Sequence, residues 1–65
     1  MNLDEEKYFV GLGMRTYGGS FVHGLGIALL SADSINILRI KTAFPEYWEK
    51  YLKMGKIKHK EFEGE

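Results

Sequence analysis

Sixty-five residues carry nine basic and nine acidic side chains, no cysteine and a formal net charge of zero, with 45% hydrophobic residues. So short a chain forms one domain and buries only roughly 60% of the surface its unfolded form exposes, so its core needs a supplement. Disulfides and a Cys/His metal site are excluded, neutrality argues against nucleic-acid coating, and the longest apolar run, Leu25 to Leu30, is far short of the ~20 residues of a membrane span.

Residues 1–7, with Asp4, Glu5 and Glu6, are polar and read as a frayed amino end. Tyr8 to Thr16 sets β-preferring aromatics beside Gly11 and Gly13, which weaken helix and strand alike. It reads as a short helix or irregular segment, and a strand paired with Lys56 to Phe62 is the rival. Gly18-Gly19 then breaks the chain, and Ser20 is the expected N-cap of a helix from Phe21 to about Ala32. That helix is apolar almost all round, which predicts burial on several sides. Its Gly24 and Gly26 would let another helix approach closely, either within the chain or from a second copy.

Asp33 is the expected N-cap of a second helix through Ala43. At 100° per residue, Ile35, Leu38 and Thr42 fall on one face and Ile37, Ile40 and Phe44 on nearly the opposite one. One face serves the core and the other requires a partner. Pro45 ends this helix and opens a third, whose apolar side is Tyr47, Trp48, Tyr51, Leu52 and Met54 and whose stop is Gly55. The fold class read from this pattern is all-α, a small three-helix domain that self-associates as a homo-oligomer. Its helical core spans 17–55, residues 1–7 and 56–65 stay loose, and the termini leave room for short extended segments.

Catalytic chemistry finds little support. Ser20, His23 and Asp33 are suitable residue types for a hydrolytic triad, but a cap role occupies Ser20 and about 18 Å of helix separates it from Asp33. The glycine-serine turn is more informative. Glycines before a helix N-terminus offer free N–H groups and a positive dipole end to an anion. In this reading Arg15 neutralises a phosphate, the amides of Gly18, Gly19 and Ser20 bind its oxygens, and His23 lies one turn on. Tyr17 or Trp48 stacks a base. The lysines from Lys50 to Lys60 read as a solvated face, or as a contact for an acidic partner.

The string Tyr17-Gly18-Gly19-Ser20-Phe21-Val22, followed by Ala28-Leu29, Ala32-Asp33, Asn36 and Ala43-Phe44-Pro45-Glu46-Tyr47-Trp48 with Tyr51, resembles a set of short phage and prophage proteins. The resemblance covers about half the chain. Its genomic setting implies, by analogy, kinship with phage proteins that oligomerise around small pockets and sequester the nucleotide signals of host defence. The resulting expectation is a non-catalytic anti-defence protein of the bacterial host cytosol. It would hold a cyclic or ADP-ribose-type nucleotide, need no cofactor or metal, and have no membrane or nucleic-acid partner. The alternative is a protein-interaction or DNA-associated regulator that works through the two-faced helix and the lysine-rich carboxyl-terminal region.

Overall fold

The computed structural model describes residues 2–63, with the side chains of residues 62 and 63 left undescribed. These residues form four helices and no strand: α1 (Leu3–Tyr17), α2 (Ser20–Leu30), α3 (Ser34–Ala43) and α4 (Pro45–Glu63). The all-α expectation holds, and the count rises from three helices to four.

The added helix is α1, which replaces the frayed end and the ambiguous segment. The Asn2 side chain caps it by accepting from the Glu5 amide at 2.9 Å, and Asp4, Glu5 and Glu6 occupy the first turn, where the helix dipole favours negative charge. Residues 3–7 are held by more than local propensity. Leu3 packs against the core, Lys7 Nζ donates to the Ala32 carbonyl at 3.1 Å, and Glu6 accepts from Trp48 and Lys41.

The third helix of the sequence reading is longer than expected, because α4 runs through Gly55 to Glu63. A glycine costs a helix about 1 kcal/mol relative to alanine, but here it creates a notch. A Cβ at Gly55 would collide with the Phe9 carbonyl, and one at Gly13 would collide with the Tyr51 carbonyl. The backbones of α1 and α4 therefore touch where only glycines permit it, and packing overrides the local stop signal. Beyond the notch, the His59 ring lies edge-on to Tyr8 and Phe9, with centroids 5.6 and 5.3 Å away. The rival strand pairing of Tyr8–Thr16 with Lys56–Phe62 is thus replaced by two helices side by side. Of the ends expected to be loose, residues 3–7 and 56–63 are helical, while residue 1 and residues 64–65 lie outside the described residues.

A second notch seats α2 on α1, since a Cβ at Gly26 would stand 2.7 Å from Met14 Cβ and 3.2 Å from the Gly11 carbonyl oxygen. The core holds Val10 and Met14 from α1, Val22 and Leu29 from α2, Ile37 from α3, and Trp48 and Tyr51 from α4. α1 is its centre, packed between α2 and α4, while α3 leans lightly on the other three. As expected, Asp33 caps α3 by accepting from the Asn36 amide at 2.8 Å, and Pro45 opens α4.

Candidate functional site

The segment from Arg15 to Ser20 is the junction of α1 and α2. Gly18 closes α1 by donating its amide to the Met14 carbonyl at 2.9 Å, so that amide is not free for a ligand. Gly19, rather than Ser20, is the N-cap of α2, and no side chain caps the helix. Ser20 is instead the first helical residue, because the chain turns one position earlier than expected and His23 N–H bonds the Gly19 carbonyl at 2.7 Å. His23 faces back to α1, with Nδ1 3.1 Å from the Arg15 carbonyl oxygen. Arg15, Tyr17, Gly19 and Ser20 are exposed around this turn.

Trp48 does not join them. Its ring is 1% exposed, and its indole N–H donates to Glu6 Oε1 at 2.9 Å. It fulfils the core part of its expected role and offers no face on which a base could stack. Lys41 completes this cluster at 3.3 Å from Glu6 Oε1, with its ammonium 5.5 Å from the centre of the Trp48 ring. The indole bond, partly opposed by burial and reinforced by Lys41, holds the Glu6 carboxyl below its ordinary value.

Other aromatic rings are open. Phe21, Ala43, Phe44, Pro45, Glu46 and Tyr47 line a groove of about 390 Å³ where the start of α2 meets the turn between α3 and α4. Within it Phe44 stacks on Tyr47 at 5.8 Å, and Phe21 meets Phe44 edge-on at 5.9 Å. The sequence reading assigned Phe44 and Tyr47 to helix packing and missed this groove, because periodicity within one helix does not report where Phe21 from another helix will lie.

The outer face of α2 departs most from expectation. The helix is not buried all round: Phe21 is 63% exposed and Ile27 49%, Ala28 is also exposed, and a Cβ at Gly24 would have no neighbour within 4 Å. α2 has no Asp, Glu, Lys or Arg. α3 divides as its pattern predicts, with Ile37 buried and Ile40 and Phe44 half-buried, while Ile35 and Leu38 are 63% and 53% exposed. Ala28, Ser31 and Ala32 from the α2 end, with Asn36, Arg39 and Ile40 from α3, line a second groove of about 360 Å³ that joins the two helices.

Of the residues considered for a triad, Asp33 caps α3 and His23 meets the Arg15 carbonyl. Among the described residues no cluster of three or more His, Asp or Glu could hold a metal ion, and no helix is long and apolar enough to cross a membrane. Of the carboxyl-terminal lysines, Lys58 pairs with Glu61 at 3.6 Å and Lys50 lies 5.3 Å from the centre of the Tyr51 ring. No family model, curated protein or solved structure matches this chain.

Proposed function

We propose that this chain is a non-catalytic protein-interaction module whose working surface is the adjoining outer sides of α2 and α3. One observation carries the reading: Phe21 and Ile27 of α2 and Ile35 and Leu38 of α3 are exposed, a groove joins the two helices, and α2 has no Asp, Glu, Lys or Arg. Helices that face only water ordinarily present a charged or polar stripe there. Exposed apolar side chains gathered on neighbouring helices mark a docking surface more often than a solvated one. Affinity capture with the tagged chain tests this, alongside an Ile35→Glu, Leu38→Glu variant whose circular dichroism matches wild type. Partners held by wild type should be lost by the variant, and identical recovery by both refutes the surface.

A second reading is favoured by the aromatic groove beside the uncapped start of α2. It is capture of a small anionic nucleotide, of cyclic or ADP-ribose type, as a phage counter-defence. The amides of Ser20 and Phe21 and the Arg15 guanidinium would meet phosphate, and Phe44 or Tyr47 would replace Trp48 as the stacking platform. A rise in Tm with one nucleotide that disappears in Arg15→Ala supports this reading, because a ligand of the folded state stabilises it by mass action. Unchanged Tm across cyclic mono- and dinucleotides and cyclic ADP-ribose at millimolar concentration excludes it.

A further inference from the structure

Resting on the docking reading above, we infer that the occupant of the α2 face is a second copy of this chain, related by a twofold axis that passes beside Gly24. The outward stripe of α2 is symmetric about that residue. Ser20 and Ala28 are small and stand four positions either side of it, and Phe21 and Ile27 stand three positions either side. Two such helices crossed antiparallel at Gly24 bring Phe21 of each copy against Ile27 of the other, and Ser20 against Ala28. An isologous interface requires this self-complementarity, in which residue i meets j while j meets i.

The steric observations agree with it. A Cβ at Gly24 has no neighbour within 4 Å, whereas Gly26 on the inner side is filled by α1. The two glycines therefore serve different contacts, and the outer one leaves a notch into which a neighbouring helix can settle. Ser20, Gly24 and Ala28, spaced by four, form a shallow row of the kind through which helices approach closely.

Charge selects the partner. An acidic or basic partner would find no Asp, Glu, Lys or Arg on α2 to complement it, whereas a second copy of the same face brings none of these charges against it. Area sets the strength. Phe21 and Ile27 at their exposures offer on the order of 200 Å² of apolar side chain per copy, and Ile35 and Leu38 roughly as much again on α3. That supplies the centre of an interface at the small end of the specific range, so dissociation is expected in the micromolar range or weaker.

Sedimentation velocity or light scattering from about 5 to 500 µM reads the outcome directly. Wild type should move from the 7.5 kDa chain mass towards twice that value as concentration rises. At Gly24 a Cβ meets no atom of its own chain within 4 Å and the site is exposed, so the circular dichroism of Gly24→Arg should be retained while the dissociation constant rises by tenfold or more. Ile57→Arg, at an exposed site on α4, should dimerise like wild type. A wild-type chain monomeric at 500 µM, or a Gly24→Arg chain that dimerises as wild type does, overturns the second-copy assignment. These results are separable from failure of the docking surface, which shows as equal partner capture by wild type and the Ile35, Leu38 variant.

Discussion

Glu6 joins three helices through one carboxylate oxygen, which makes its replacement an informative perturbation. Oε1 accepts from the Trp48 indole at 2.9 Å and from Lys41 Nζ at 3.3 Å, and the Glu6 side chain is 18% exposed. Glu6→Ala leaves the N–H of a fully buried indole without an acceptor, which costs about 1–3 kcal/mol. The partly exposed Lys41 pair adds at most about 1 kcal/mol. For a domain of this length, a loss of about 2 kcal/mol lowers Tm by roughly 8 to 16 °C. Glu6→Gln keeps an oxygen for the indole and should lose much less.

The acid response follows from the same geometry. Folding lowers the Glu6 carboxyl below its ordinary value of 4.5, chiefly through the indole bond. The unfolded chain then binds a proton more readily than the folded one. The stabilisation is therefore complete above the ordinary carboxylate value and fades as pH falls through the lower folded value. The excess stability of wild type over Glu6→Gln should be full at pH 7 and shrink below about pH 4.5. Trp48, the only tryptophan, provides the fluorescence signal for thermal and urea unfolding. A Glu6→Ala protein that melts within about 2 °C of wild type, or a wild-type advantage over Glu6→Gln independent of pH, refutes the reasoning.

Two further outcomes test the packing. Gly55→Ala drives a methyl into the Phe9 carbonyl, so about 3 kcal/mol or more of stability should be lost in urea unfolding. Gly24→Ala meets nothing and should gain up to about 1 kcal/mol at concentrations where the chain is monomeric; equal effects at the two sites would discredit the notch. Asp33→Ala removes the side-chain cap of α3 and should cost about 1 kcal/mol, whereas Ser20→Ala removes no cap bond and should stay within about 0.5 kcal/mol. Urea midpoints compared at constant m-value distinguish the two.

Part of the candidate surface was legible in the chain. The spacing of Ile35 and Leu38 against Ile37 and Ile40 foretold which side of α3 would be covered, and the structure left the other side open. The ligand constellation was less legible. It drew Trp48 together with Arg15, Tyr17 and Ser20 on residue type alone, and residue type does not report that an indole will turn inward to a glutamate 42 positions away.

Sequence by itself determined the local decisions: the Asp33 cap, the proline boundary at 45, the two faces of α3 and the helical class. Each depends on interactions within about one helical turn, which any reading of neighbours can recover. Tertiary structure alone decided that Tyr8 to Thr16 is helical, that α4 continues through Gly55, and that α2 shows an uncharged side to solvent. At Gly13 and Gly55 the backbone of another helix, and at Gly26 the Met14 Cβ, comes so near that a Cβ has no room. The conformational cost of those glycines is visible in sequence, whereas the packing that offsets it exists only once α1 lies between α2 and α4.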